Sequence, residues 1–312
     1  MIISFSRILY SLILPYQYRI EQKYGKVIFI GWGRRRYGEV ARKTTSFLHL
    51  PFVCIEDGFV RSMQLGQTLD RFSIVVDDIG IYYDATRPSR LEILLNSYDF
   101  ASDHHLMKRA RKGMEDIVNY CITKYNHVSD KTESTLIRTP QKKVLIIAQT
   151  LGDMSLHYGY GDRFSTQDML DAARNENPDS EIYIKIHPDV LHGIKQSDID
   201  LEVCKGSCTI ITQDTNPITL LKDFDVVYTK TSQMGFEALM LGKKTVCFGA
   251  PFYSGWGLTD DRVLITRRNR VLRIEELFAA AYLLYPLYYD PYTKQVCEFE
   301  DVIQTIVQIK SV

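Results

Sequence analysis

The chain has 312 residues, 45% hydrophobic and 24% charged, and its 38 Lys+Arg balance 38 Asp+Glu to a formal net charge of +0. That length suits two domains, and the absent charge excess leaves no electrostatic footprint for nucleic acid, so no nucleic-acid partner is expected. No apolar run reaches the roughly twenty residues of a membrane-spanning helix. Six scattered cysteines (Cys54, Cys121, Cys204, Cys208, Cys247 and Cys297) read as reduced thiols of a cytoplasmic protein. Cys204 and Cys208 form the one close pair and lack the further Cys or His that a zinc site needs.

At the start, Phe5, Ile8, Leu9, Leu12 and Ile13 fall at helical spacing, Pro15 ends the run, and Arg7, Arg19, Lys23 and Lys26 flank it. Such a helix packs on its own domain or lies as a shallow amphipathic anchor on the inner membrane face. It has no small-residue cleavage site, so a signal peptide is not expected. Lys26–Gly31 reads as a strand, followed by Gly31-Trp32-Gly33 and the run Arg34-Arg35-Arg36. Those arginines offer anion contacts or form a solvated basic turn. Phe52–Ile55 is the next strand, ending in Glu56-Asp57-Gly58 with Arg61 close behind. Adjacent carboxylates at a strand's carboxyl end suit acid/base work or hydroxyl binding, or belong to an ordinary Asp-Gly turn.

Ser73–Val76 is a further strand running into Asp77-Asp78, and with no third ligand at readable spacing no metal is expected there. Ser89 caps a helix bearing Leu91, Leu94 and Leu95, and residues 99–127 are helical, with adjacent His104 and His105 at the surface. The polar stretch Val128–Lys143 reads as a linker.

Lys143–Ala148 opens the second half as a buried strand and delivers Gly152-Asp153 to a loop at its carboxyl end. Ser165 or Thr166 opens a helix, Ile182–Ile186 is a strand, and His187-Pro188 closes it, holding a ring that can meet a phosphate. Asn216-Pro217 starts another helix. Asp225–Thr229, the hydroxyl turn Thr231-Ser232, a helix to Leu241, the stop at Gly242 and the strand Thr245–Phe248 make a βαβ unit. Its helix N-terminus and hydroxyls suit a phosphate, and Glu237 suits a ribose; an ordinary capped helix between buried strands carries the same signature. Strands alternating with helices over residues 143–248 predict a parallel, doubly wound sheet. Ile274–Tyr285 and Phe299–Ile309 read as closing helices.

The motifs EDGFVRS (Glu56–Ser62), VVDDIGIYYDATRPSRLE (Val75–Glu92), KYN (Lys124–Asn126), GDMSLHYG (Gly152–Gly159), KIHPDV (Lys185–Val190), TSQMGFEAL (Thr231–Leu239) and PFYSGWGLTDD (Pro251–Asp261) run in order along nearly the whole chain. In these the chain resembles the KpsC/LipB-type β-Kdo glycosyltransferases of capsule assembly, and most the amino-terminal module of those two-module proteins. The resemblance implies an α/β fold of GT-B architecture, with two Rossmann-like domains facing a central cleft. It divides the chain into an acceptor-side domain (residues 1–138), a CMP-sugar donor domain (139–268) and C-terminal helices packing back (269–312). It implies retaining transfer of Kdo from CMP-Kdo to a glycolipid or polysaccharide acceptor through a covalent adduct, and the matching nucleophile position is Asp153. Glu56 and Asp57 are then the acid/base candidates.

On the same footing, Lys185, His187, Thr231, Ser232, Gln233 and Glu237 hold the donor, and Arg34 or Arg61 meets a Kdo or acceptor carboxylate. A CMP leaving group carries one phosphate, which helix N–H groups, hydroxyls and His187 can neutralise, so no metal cofactor is expected. The expected location is cytoplasmic, with peripheral contact at the inner membrane face. Typical members carry two modules and this chain has length for one, so a partner transferase module is expected; Arg34-Arg35-Arg36 also departs from the Arg-Lys-Pro-Ser type of run. Two competing functions are an inverting transferase for another CMP-nonulosonate such as CMP-sialic acid, with Asp57 as base, and a non-catalytic nucleotide-sugar-binding module of an export complex.

Overall fold

The computed structural model describes residues 2–4, 11, 13–24, 28–65, 70–127, 139–186, 190, 196–199 and 208–311. In chain order the strands are β1 (Ile2–Ser4), β2 (Ile28–Trp32), β3 (Phe52–Asp57), β4 (Ser73–Asp77), β5 (Lys143–Ile147), β6 (Glu181–Lys185), β7 (Thr209–Ile211), β8 (Val226–Thr229), β9 (Lys244–Cys247), β10 (Asp260–Asp261), β11 (Pro286–Asp290) and β12 (Gln295–Cys297). The helices are α1 (Gln17–Tyr24), α2 (Arg36–Phe47), α3 (Arg90–Ser97), α4 (His104–Asn119), α5 (Met154–Tyr158), α6 (Thr166–Glu176), α7 (Pro217–Leu221), α8 (Met234–Met240), α9 (Ile274–Phe278) and α10 (Phe299–Lys310).

The chain forms two compact units. The first comprises Met1–Tyr82, Arg87–His127 and Glu275–Val312; the second comprises Tyr83–Thr86 and Val128–Ile274. The expected division at 138/139 compares with 127/128 here, and the C-terminal segment belongs to the first unit. Its sheet has the order β1-β2-β3-β4-β11-β12. The first three strands are parallel, whereas β4, β11 and β12 join antiparallel. Ile13, Tyr16 and Ile20, on one helical face, pack on Ile30, Val53, Ile55, Ile74 and Val76. Ile13 is therefore a core residue, while Phe5, Ile8, Leu9 and Leu12 lie outside the described residues. Glu56 and Asp57 belong to β3 itself, which runs two residues further than expected.

The C-terminal segment also differs from expectation. Helices form at α9, extended by a π-helical turn over Ala279–Leu284, and at α10. Between them β11 and β12 are strands. The period-two burial of Pro286, Tyr288 and Asp290 is the strand signature, and proline is tolerated at a strand's first residue. The alanine-rich helix beside it dominates a local reading, and β11 gains its partner, β4, only from far earlier in the chain.

Asp77 is the polar hub of this unit. Its Oδ1 accepts from the backbone N–H of Ile79 (2.9 Å) and Gly80 (2.8 Å), and its Oδ2 from Arg90 N–H and the Tyr285 hydroxyl (both 2.8 Å). It thereby fastens the end of β4 to the start of α3 and to the chain entering β11. Asp78 instead pairs with the Arg90 guanidinium at the surface, at 3.0 and 2.6 Å.

The second unit's sheet is parallel throughout, with order β10-β9-β8-β5-β6-β7. Numbered from β5 within the unit this is 3-2-1-4-5-6, the Rossmann order, with the topological switch point between β5 and β8. Alternate residues of β5 feed two cores. Val144 and Ile146 meet Met169, Leu170 and Ala173 of α6, while Leu145 and Ile147 meet Leu220, Leu221, Phe224 and Ala238. Helices thus cover both faces, which is why the β5 run is continuously apolar. Ser165 and Asn216 cap α6 and α7 as expected.

Asp77→Ala strands buried donors and is expected to lower stability by about 3 kcal/mol or more, whereas Asp78→Ala removes a surface pair worth about 1 kcal/mol or less. Denaturant unfolding of the two variants checks the contrast; equal losses would contradict it.

Candidate active site

Parallel sheets of this order bind ligands beyond the carboxyl ends of the strands flanking the switch point. Here those ends carry the loop after β5, with Gln149 and Asp153, and the loop after β8, with Thr231 and Ser232. The two loops are bolted together. The Gln149 side-chain carbonyl accepts from Thr231 N–H at 2.7 Å, and its amide donates to Thr231 Oγ1 at 3.0 Å. Thr231 Oγ1 also shares a hydrogen bond of 2.9 Å with Ser155 Oγ. Asp153 is the N-cap of α5, and its Oδ1 accepts from Ser155 N–H at 2.9 Å. Two hydrogen bonds through Ser155 therefore link the exposed Asp153 carboxylate to the Thr231–Ser232 turn.

The same turn is supported from the other side by the Pro251–Asp261 motif. Tyr253, fully buried, donates its hydroxyl to Ser232 O at 2.6 Å. A Cβ on Gly235 would lie 2.1 Å from that hydroxyl, so the glycine in TSQMGFEAL makes room for the support. Arg268 donates to Pro251 O at 2.6 Å and Ser254 O at 2.9 Å and lies over the buried Trp256 ring, holding the motif's own loop. Sequence reasoning missed Gln149, Tyr253 and Arg268 as supports, because a side chain that grips a neighbouring loop has no local spacing signal.

The other expected donor residues are distributed differently from expectation. Ser232 Oγ accepts from Met234 N–H at 3.3 Å, but the residue at the N-cap position of α8 is Gln233. Glu237 is 2% exposed, turned into the fold rather than toward solvent, and its charge reaches Tyr253. Lys185 is buried and donates to Gln213 O at 3.3 Å, in the loop after β7. Burial lowers its pKa, against the opposing pull of Asp214. His187 lies outside the described residues.

In the first unit, EDGFVRS and KYN come together. Ser62 bridges to Tyr125, Asn126 Nδ2 donates to Ser62 O at 3.3 Å, and the Arg61 guanidinium lies 5.3 Å from the centre of the Tyr125 ring. The two adjacent carboxylates then part company. Asp57 is clamped, one oxygen 2.8 Å from Arg61 Nε and the other 2.7 Å from Arg71 Nε. Arg61, 3% exposed, thus has Asp57 as its partner where the sequence suggested a substrate carboxylate. Arg34 is likewise turned inward, 3.1 Å from Glu39.

Glu56 Oε1 accepts from Asp57 N–H at 3.1 Å. Burial, reinforced by the charge of Asp57, pushes its pKa up to about 7, with Lys124 and Arg35 pulling the other way. A carboxyl titrating near neutrality can both give and take a proton.

The fold and these sites define an α/β protein of two units with GT-B architecture. The chain belongs to the capsule polysaccharide biosynthesis protein family, which matches over residues 28–128 and 117–289. It is 42% identical over 309 residues to the capsule polysaccharide modification protein LipA of Neisseria meningitidis, covering 96% of this chain and 44% of LipA. It is 38% identical over 284 residues to the lipopolysaccharide-processing protein LpsZ of Rhizobium meliloti, covering 91% of this chain and 64% of LpsZ. The chain thus spans about half the length of these relatives, 44% and 64%.

Among solved structures it is similar to Thermosulfurimonas dismutans KpsC, beta Kdo 2,4 transferase, with a TM-score of 0.87, 39% identity, and 98% and 97% of the two chains covered. For Thermosulfurimonas dismutans KpsC, beta Kdo 2,7 transferase, the TM-score is 0.76 and identity 29%, with 99% of both chains covered.

Because the folded Glu56 carboxyl holds its proton more tightly than the ordinary 4.5, it costs stability as pH rises from 4.5 through about 7. Glu56→Gln is expected to remove that decline, gaining on the order of 1–3 kcal/mol at pH 8 and little at pH 4. Denaturant midpoints of both proteins across that range check it; parallel curves would contradict it.

Proposed function

We propose that the chain is a retaining β-Kdo transferase of capsule or surface polysaccharide biosynthesis, moving Kdo from CMP-Kdo to a glycolipid or polysaccharide acceptor. The observation that carries this reading is the exposed Asp153 carboxylate at the switch-point mouth, hydrogen-bonded through Ser155 to the Thr231–Ser232 turn. Similarity to the two KpsC Kdo transferase structures over nearly the full chain supports the sugar transferred.

An Asp153 oxygen attacks the anomeric carbon of Kdo, the bond from that carbon to the CMP phosphate oxygen breaks, and CMP leaves as an anion. The acceptor hydroxyl then attacks the same carbon, the Asp153 carboxylate departs, and the hydroxyl proton passes to a base. Two inversions give net retention, as in retaining glycosidases. We assign the base to Glu56 rather than Asp57. Both Asp57 oxygens are already occupied by guanidinium groups, whereas Glu56, with a pKa of about 7, is matched to neutral pH.

Thr231, Ser232 and Gln233 are proposed to meet the phosphate, with His187 completing the phosphate contacts and Lys185 and Glu237 completing the donor set, Glu237 toward the ribose. One phosphate charge is small enough for such neutral donors and one imidazole, so the reaction as proposed uses no metal. A nucleotide-sugar donor assigns the chemistry to the cytoplasmic side.

Incubation with CMP-Kdo is expected to release CMP. Asp153→Asn should slow release by roughly 10³-fold or more, and Glu56→Gln should slow transfer by roughly 10²–10⁴-fold while flattening the rise in rate with pH through about 7. Turnover of CMP-sialic acid instead, with Asp153 dispensable and the product inverted, would overturn the proposal. So would failure to bind CMP at all.

A further inference from the structure

Helix α2 is anchored by a narrow face on which Gly38, Ala41 and Thr45 are buried. On the other side Tyr37 is 73%, Val40 50% and Phe47 83% exposed, and Leu48, just past the helix, is 52% exposed. At about 3.6 residues per turn these four side chains share one face, with the exposed Thr44 between the two pairs and exposed Arg36 and Lys43 along a single margin. Contiguous large apolar side chains on one exposed helix face mark an interaction surface rather than a solvated one.

We propose that this face docks on the surface of an anionic phospholipid bilayer, with the stripe in the acyl boundary and the two cations among the headgroups. Charge selects that occupant. The single acid of α2, Glu39, is already engaged by Arg34 at 3.1 Å and Arg42 at 2.8 Å, so among the described residues no carboxylate pairs with the cations of the stripe's margin. A second copy seated antiparallel on the same face by two-fold symmetry would bring like-charged margins together. An anionic headgroup layer neutralises them instead, and an apolar stripe edged by Lys and Arg is the pattern of helices that lie in the interface plane. This gives the outward Arg36 a role while Arg34 serves the fold. The docked helix follows β2, which pairs with β3, the strand that carries Glu56. The proposal does not depend on the transferase reading, since docking needs neither donor nor acceptor.

The test is co-sedimentation of the full chain with phosphatidylcholine vesicles, alone and mixed with phosphatidylserine, at low and physiological salt, alongside sedimentation velocity without lipid. The expected result is binding to the anionic vesicles that weakens with salt. The V40S/F47S variant should bind at least tenfold more weakly, and R36Q/K43Q should lose roughly fivefold per removed charge. Both variants should keep the parent's unfolding temperature, which their exposed positions allow. Absence of binding to anionic vesicles, binding that none of these substitutions weakens, or a dimer that they dissolve would each overturn the proposal. CMP release is measured without vesicles, so its failure and this one are separate outcomes.

Discussion

The candidate donor site depends on a bracket at one residue, Thr231. Gln149 grips its backbone and its hydroxyl, and Ser155 meets that hydroxyl from the other side. A topological switch point opens a crevice because neighbouring connections leave in opposite directions; left alone, the two loops at its mouth would move independently. The bracket converts them into one rigid surface and fixes where the Asp153 carboxylate stands relative to the turn. Tyr253 beneath Ser232, with Gly235 leaving it space, completes the support from below. The nucleophile role proposed for Asp153 needs a carboxylate held in place and yet reachable, and a loop pinned at its base with an exposed tip meets both conditions.

The first unit shows how environment divides labour between identical chemistry. Glu56 and Asp57 are neighbours in one strand. Arg61 and Arg71 fix Asp57 as a charged strut, and that fixed negative charge is one cause of the raised pKa of Glu56, after burial. The nearby Lys124 is held charged: burial opposes its proton, but Tyr82, Tyr125, Asp57 and Glu56 outweigh it and raise its pKa.

Much of this was legible in the sequence because it rests on local rules. The apolar runs at β2, β3, β4, β5 and β8 became strands, Ser89, Ser165 and Asn216 capped the helices they precede, and Asp153 fell in the loop expected of it. What escaped is what depends on distant partners. β11 exists because β4 offers it an edge, and Arg61 and Arg34 turn inward because carboxylates four and five residues away, Asp57 and Glu39, pair with them. Glu237 and Lys185 were read from motif position alone, which says nothing about which way a side chain packs; both are buried. The Arg34–Arg36 run looked uniform in sequence, yet a strand-to-helix turn sends its first member inward and its last outward.

The central claim is that the bracketed carboxylate of Asp153 takes the sugar covalently. Its most direct test is to quench the protein with CMP-Kdo in the absence of acceptor, digest it, and locate any mass increment by peptide sequencing. The account predicts one Kdo increment on the peptide containing Asp153, confined to that side chain and discharged when acceptor is added. An increment on another residue, or steady turnover with no enzyme-bound sugar at any time point, would contradict it.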